Sequence, residues 1–354
     1  MPKSVKRFSD VIMLPHILIL KVIPVAIMPP ASQDKPFIVI RDDGPDIAKL
    51  RTAVVAIGNF DGVHRGHRSV IELAQRRAAT AGRPAAVLTL EPHPRSYFRA
   101  DEKLFRLSDE TQKLRLLAAT GVDGTVVLTF NAALASLPAE QFVSKILVER
   151  LAVSGVAIGF DFHFGQGRGG SPAFLKEAGA RYGFPVDVAP PLEDEGRPVS
   201  SGTIRAALEA GRVVEATELL GYPWFVSGEV IHGEKRGRDL GFPTANLRLD
   251  PACGLKHGIY AVRVGVGEER YDGVASFGRR PTFDNGAPLL ETFLFDFSGD
   301  LYGKTIDVAL IGWIRPEEKF DNIDALVEQM KVDSARARDA LKRSGGAFPP
   351  LGMI

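Results

Sequence analysis

His64 and His67 stand three residues apart in the string Gly58-Asn59-Phe60-Asp61-Gly62-Val63-His64-Arg65-Gly66-His67, after an apolar run at 52–57 and before apolar residues at 70, 71, 73 and 74. That order reads as strand, glycine turn, helix. Gly58 and Gly62 permit a tight turn and close approach of backbone to a ligand, and the helix aims its unpaired N–H groups and positive dipole end back at the turn. Such a place attracts phosphate. Two imidazoles at this spacing share one helix face and can both donate to a polyphosphate whose charge moves during reaction, which suits nucleotidyl transfer.

The elements that must hold this turn follow in a βαβ rhythm. Strands are expected at 52–57, 85–90, 124–129 and 155–158, and helices at 67–81, 109–119 and 138–150, giving a mostly parallel sheet covered on both faces. Ligands of such sheets bind beyond the carboxyl ends of the strands. A helix at 213–220 ends at Gly221-Tyr222-Pro223, after which the pattern changes to strands at 224–232, 258–266, 271–277, 289–297 and 305–313, with an amphipathic helix at 322–341. An antiparallel barrel with a C-terminal helix fits that half. The chain has 354 residues with 44 Lys plus Arg against 43 Asp plus Glu, so two domains are expected and no basic nucleic-acid surface or polybasic membrane arm. A single cysteine, Cys253, excludes an internal disulfide and a Cys-rich zinc site, and suits a reducing cytosol. Residues 1–36 superficially resemble a signal peptide, but Pro15, His16, Lys21 and Pro24 interrupt the apolar run, so an extension or a start at Met28 is expected.

Gly-x-Phe-Asp-Gly-x-His-x-Gly-His after a strand resembles the signature of the HxGH nucleotidyltransferases, and in this extended form that of the bacterial bifunctional riboflavin kinase/FAD synthetases. The resemblance implies that Gly58, Phe60, Asp61 and Gly62 contact the nucleotide. It places the Pro-His-Pro of Glu91-Pro92-His93-Pro94 near the same site, with His93 as a wall of it. The loop at 159–170, with Asp161, Phe162 and Phe164, looks like a second family loop whose aromatic faces line a flat ring. Ser200-Ser201-Gly202-Thr203-Ile204-Arg205 opens a helix that by itself reads as a plain N-cap; it resembles the Ser-Ser-Thr-x-Ile-Arg element that puts Ser200, Ser201, Thr203 and Arg205 on the triphosphate.

In the second half, Gly233-Glu234-Lys235-Arg236-Gly237-Arg238-Asp239-Leu240-Gly241-Phe242-Pro243-Thr244-Ala245-Asn246 is not a Walker motif. It resembles the flavokinase motif ending Pro-Thr-Ala-Asn, in which Thr244 and Asn246 would hold Mg-ATP while Gly233, Gly237, Arg238 and Gly241 cover the phosphates. Glu291 shares by period two the face of Phe293, Phe295 and Phe297, an apolar setting that would raise its pKa toward that of a general base. The family has Glu-Thr-His-Leu here, with Phe293 in place of the His. Gly278, Pro281 and Thr282 match a Gly-x-x-Pro-Thr loop of the flavin pocket.

The expected fold is therefore α/β: a Rossmann-like HxGH nucleotidyltransferase domain at 37–220, then a six-stranded antiparallel β-barrel riboflavin kinase domain at 221–343 with a C-terminal helix, and a flexible tail at 344–354. The resemblance implies riboflavin, FMN and FAD as substrates and products, ATP with Mg²⁺, small-molecule partners, no nucleic acid, no membrane, and a cytoplasmic enzyme; weak self-association is left open. Catalytic roles fall to His64, His67 and Arg205 in one site and Glu291 in the other. The rivals are a monofunctional FAD synthetase with a flavin-sensing kinase domain and a class I aminoacyl-tRNA synthetase, which the near-neutral charge disfavours.

Overall fold

Short runs of aliphatic residues buried on both faces build the first sheet. The computed structural model describes residues 36–42, 44, 46–99, 101–232, 242–279 and 288–354. Strands β1 Ile38–Arg41, β2 Val54–Ile57, β3 Ala85–Glu91, β4 Gly124–Thr129, β5 Gly155–Gly159 and β6 Val186–Ala189 pair in parallel in the order β1-β4-β3-β2-β5-β6. Chain order reverses at β2, whose neighbours are β3 and β5, so the crevice at its carboxyl end lies at the topological switch point. The expected sheet lacked its two edges. β1 is only four residues long, and β6 carries Asp187, which pairs with Arg77 instead of continuing an apolar run.

The connecting helices are α1 Ile47–Leu50, α2 Arg65–Ala81, α3 Pro94–Phe98, α4 Glu110–Ala118, α5 Ala132–Ala135, α6 Ala139–Gln141 and α7 Pro172–Tyr182. The helix expected at 138–150 winds as a π-helix over Phe142–Arg150. Alternation along β2 sends Val54 and Ala56 toward Val70, Ile71 and Ala74 of α2, and Val55 and Ile57 toward Phe142, Leu147 and Leu175. A two-residue hairpin, β7 Glu193–Asp194 with β8 Arg197–Pro198, leads to α8 Ser201–Glu209 and α9 Val213–Leu220. One apolar cluster runs from α2 through α8 and α9 into the second unit without a break.

That unit is a barrel of β9 Phe225–Glu229, β10 Thr244–Arg248, β11 Gly258–Val266, β12 Glu269–Arg279, β13 Pro288–Leu294 and β14 Thr305–Arg315, antiparallel in the order β10-β13-β12-β11-β14-β9. Ile231, just past β9, donates to the Asn246 carbonyl at 2.9 Å and nearly closes the ring. β10 was expected only as the end of a loop; Ala245 and Leu247 point inward and make it a strand. Helix α10 Ile323–Arg343 is capped by Asn322, and its Ala337 and Leu341 seat against Ala261 and Phe295.

The chain after α10 is tied down, which corrects the expectation of a flexible tail. Arg263 donates to the Ala347 carbonyl, Phe348 lies under Arg270, and Gly352 donates to the Arg115 carbonyl of α4 at 2.9 Å. The backbone of Gly352 sits so close to Ala118 that a Cβ there would stand 2.6 Å from the alanine Cβ.

Candidate active sites

The histidine turn follows β2 at the switch point, and α2 begins one residue after His64. His64 is the N-cap: its Nδ1 accepts from the backbone N–H of His67 at 3.2 Å. A ring nitrogen that accepts carries no proton, so neutral His64 holds its hydrogen on Nε2, where it can donate. The two imidazoles stack with centroids 3.6 Å apart, and Phe60 meets His67 edge-on from beneath. Burial, then Arg68 and Arg205, pushes the His64 pKa down to about 3; burial and the neighbouring cations also hold His67 well below its ordinary value. Both rings are therefore neutral at pH 7. His67 Nδ1 is buried without a hydrogen-bond partner, a polar atom aimed at nothing in the protein.

Asp61 gathers the other half of the site. Its Oδ1 accepts from the amides of Leu107 at 2.9 Å and Ser108 at 3.1 Å, its Oδ2 pairs with Arg205, and its carbonyl accepts from Ser201 Oγ at 3.0 Å. Arg205 Nε donates to the Phe105 carbonyl, so two guanidinium nitrogens are committed and Nη1 is left to donate elsewhere. Ser200 caps α8 through the Thr203 amide at 3.1 Å. The two sequence motifs thus meet, and Gly66 leaves no slack between them, since a Cβ there would lie 3.2 Å from the Val199 carbonyl oxygen. Asp61 is a buried anchor that positions Arg205, and the Gly62 amide is given to Ser108 Oγ at 3.0 Å. Phe60, 1% exposed, is likewise a support and not a lining residue.

His93 joins this cluster from the end of β3. It caps α3 through its Nδ1, which accepts from the Arg95 amide at 3.1 Å. Burial pushes its pKa down to about 4, against the opposing pull of Asp61 and with help from Arg106, Arg205 and Lys113. Next to it Glu91 is gripped by Arg106 at 2.6 Å and by Lys113 at 2.6 Å. Burial alone would raise the Glu91 carboxyl, but the two cations together hold it below its ordinary value. The sequence reading passed over this ion cluster. The available signal was a lysine inside the buried run Gln112-Lys113-Leu114 of a helix. It also missed Tyr97, Phe98 and Phe130, which form an edge-to-face trio at the carboxyl ends of β3 and β4, with Phe98 66% exposed. The aromatic loop at 159–170 behaves otherwise than expected. Phe164 is buried against Phe142 and Phe174 with Phe162 stacked on it, so Phe164 is a core residue, whereas Asp161 is exposed.

On the barrel, β10 and β13 bring the second set of residues into register. Glu291 lies opposite Asn246 on one side and Ser276 on the other, and Thr244 lies opposite Phe293. The inward residues of these strands are Ala245, Leu247, Leu290, Leu294, Ala275 and Phe277, so Thr244, Asn246, Ser276 and Glu291 share the outer face. Phe293 and Phe295 pack together on the outer face under α10, on the side of Glu291 as expected, whereas Asp296 takes φ +56° and turns Phe297 away onto Tyr271. Glu291 is half-buried, with Asn246 and Ser276 across the strands and Phe293 two residues along on the same face. Gly278 lies on the same strand as Ser276, with Glu317 so near that a Cβ would clash. Gly233, Gly237, Arg238, Gly241, Pro281 and Thr282 lie outside the described residues.

Fold and sites together define a nucleotidyltransferase-type α/β unit joined to a small, nearly closed antiparallel barrel. The family model described as FAD synthetase matches residues 46–203, and that described as riboflavin kinase matches residues 220–341. The chain is 41% identical over 287 residues to the bifunctional riboflavin kinase/FMN adenylyltransferase of Escherichia coli K12, covering 81% of this chain and 92% of that protein. It is 37% identical over 291 residues to the protein of the same name from Bacillus subtilis 168, covering 80% and 91%. The chain belongs to the bifunctional riboflavin kinase/FMN adenylyltransferase family. A solved chain from Streptococcus pneumoniae described as a macrolide-efflux protein superposes with TM-score 0.76 at 32% identity, over 86% of this chain and 99% of that one. Among the described residues here, no helix is long and apolar enough to cross a membrane.

Proposed function

We propose that the chain makes FMN from riboflavin and ATP on the barrel, within 221–343, and FAD plus pyrophosphate from FMN and ATP at the histidine turn, within 37–220. The observation that carries the second reaction is the meeting of Asp61 and Ser201, 140 residues apart in sequence, which sets Arg205 beside His64 and His67. An FMN phosphate oxygen attacks the α-phosphorus of ATP, the bond from that phosphorus to the α–β bridging oxygen breaks, and pyrophosphate leaves. His64 Nε2–H, His67 and Arg205 receive the charge that passes to pyrophosphate, with no covalent enzyme intermediate. The hydroxyls of Ser200 and Thr203 flank the same helix entrance. His93 walls the site, and the exposed face of Phe98 offers a surface for a flat ring.

On the barrel, Glu291 takes the proton from the primary alcohol of riboflavin as that oxygen attacks the γ-phosphorus, and ADP leaves. Thr244 and Asn246 supply oxygen donors beside it, a chemistry that suits a hard divalent cation shared with phosphate oxygens. Mg²⁺ bound there would neutralise phosphate charge. Both activities draw on small soluble substrates, and we place the enzyme in the cytosol without nucleic-acid partners. Incubation of the purified protein with riboflavin, ATP and Mg²⁺, followed by chromatography of the flavins, tests the reading. FMN followed by FAD is expected; unchanged riboflavin with FMN still converted to FAD would reduce the chain to a monofunctional FAD synthetase.

A further inference from the structure

Lys113 is a buried cation that neither proposed reaction uses. Its side chain is 2% exposed, and Nζ lies 2.6 Å from Glu91 Oε1. The ammonium also donates to Thr89 Oγ1 at 3.2 Å and to the carbonyls of Asn59 at 3.4 Å and Leu90 at 3.5 Å. These acceptors belong to two segments. Asn59 opens the histidine turn, whereas Thr89, Leu90 and Glu91 end β3 and lead through Pro92 into His93; Thr89 Oγ1 itself donates to the Asn59 carbonyl at 3.1 Å. Packing alone would be served by an aliphatic residue, because a buried ammonium costs several kcal/mol of desolvation unless its partners repay it. Glu91 is shared with Arg106, so the cluster has one carboxylate for two cations and keeps positive charge beside a site for polyphosphate. On its other side α4 is held by the barrel, through Arg115 paired with both oxygens of Asp307 at 2.7 Å and Gln112 donating to the Phe225 carbonyl at 3.1 Å.

We infer that Lys113 is a positioning residue for adenylyl transfer, its ammonium joining the entry of the histidine turn to the loop that presents His93. The assignment rests on the reading that this site makes FAD from FMN and ATP. Lys113 also faces His67 and His93 as a cation. His67 is faced in addition by His64, Arg205 and His93, and His93 by Asp61, Arg106 and Arg205, all of which a substitution at 113 leaves in place.

Lys113→Met in the full chain keeps the length of the side chain and removes the charge. Its kcat for FAD formation from FMN and ATP is expected to fall about 10- to 100-fold, the range for a displaced reacting group, with KM for ATP changed much less. Riboflavin phosphorylation by the same preparation should be unchanged. NMR titration of the ring protons should show His67 and His93 ionising at higher pH, and Lys113→Arg should recover most of the rate and the lower ionisation. A Lys113→Met rate within twofold of the parent chain, with both titrations unmoved, overturns the inference. So do equal losses in both reactions that Lys113→Arg does not relieve, which would make the lysine a general structural residue. Where Lys113→Met does not fold, Glu91→Gln removes the ammonium's ion partner, and an unchanged rate of FAD formation there overturns it too. No FAD from the parent chain sinks the functional reading itself, and the inference with it.

Discussion

The two proposed sites handle the same substrate, ATP, by opposite constructions. The histidine turn is assembled from helix entrances and buried charges: α2 and α8 point their amino ends into one crevice, and Asp61 and Glu91 spend their carboxylates on Arg205, Arg106 and Lys113. The barrel face is assembled from strand register, with Asn246, Glu291 and Ser276 side by side because three strands pair there. A site built from helix entrances has its donors preorganised by the fold and is sensitive to any lost anchor; a site built on register tolerates change at single neighbours but depends on the pairing of whole strands.

The sharpest test separates the two chemistries. Glu291→Gln should lower FMN formation by about 100- to 10,000-fold, the usual contribution of a general base, while leaving FMN-to-FAD conversion intact. His67→Ala should lower FAD formation by about 100-fold or more and leave FMN formation intact. Loss of both reactions in either variant, assayed separately, would erase the division drawn above.

Anchors are the next difference. Asp61→Ala leaves Arg205 and two backbone amides without their acceptor in the interior, and breaking a buried ion pair costs about 3–5 kcal/mol. Urea unfolding should show this loss in the α/β unit, with FAD formation falling alongside it. A destabilisation under 1 kcal/mol would mean that Asp61 is not the anchor its contacts indicate. The interdomain pair Arg115–Asp307 is partly exposed, at 24% and 13%, so Asp307→Asn should cost only about 1 kcal/mol. A double-mutant cycle with Arg115→Met would measure the coupling.

The last difference is the pH dependence of stability. His64 and His93 have folded values of about 3 and about 4 against an ordinary 6.5, so above about pH 6.5 both rings are neutral folded or unfolded and their contribution is intact. As pH falls the unfolded chain takes up protons that the folded one refuses, and stability is lost down to the folded values. His64→Asn keeps an N-cap acceptor without the titration, so it should flatten this acid limb in thermal melts. An unaltered limb would locate the acid sensitivity elsewhere.

Much of the first site was legible because its parts are local. Glycine spacing, paired histidines and a hydroxyl-rich helix start announce themselves within a dozen residues, and strand–turn–helix order puts them at the carboxyl end of a sheet. What each residue does there was less legible. Asp61 sits in the motif like a ligand contact, yet its partners come from 46 and 144 residues away, and they turn it into an anchor. Phe164 looked like a lining residue for the same reason. Its burial depends on Phe142 of the preceding helical segment as well as on Phe174, and no short window includes the former. Phe297 was placed on the face of Glu291 by assuming that the strand ran that far, and a left-handed Asp296 ends the pattern one residue earlier.

By itself the sequence determined the kinds of side chain and their order along the chain: glycine turns with paired histidines, a hydroxyl-rich helix start, a carboxylate on a strand and the change from helical to strand period. These depend on residue type and short spacing, which no later folding event alters. The tertiary structure decided which charges are committed and which are left to act, how Lys113 and Glu91 come to stand beside His93, and that the last ten residues tie α4 to the barrel. Those outcomes turn on contacts between distant segments, whose energies depend on burial and distance, and neither quantity exists until the chain has folded.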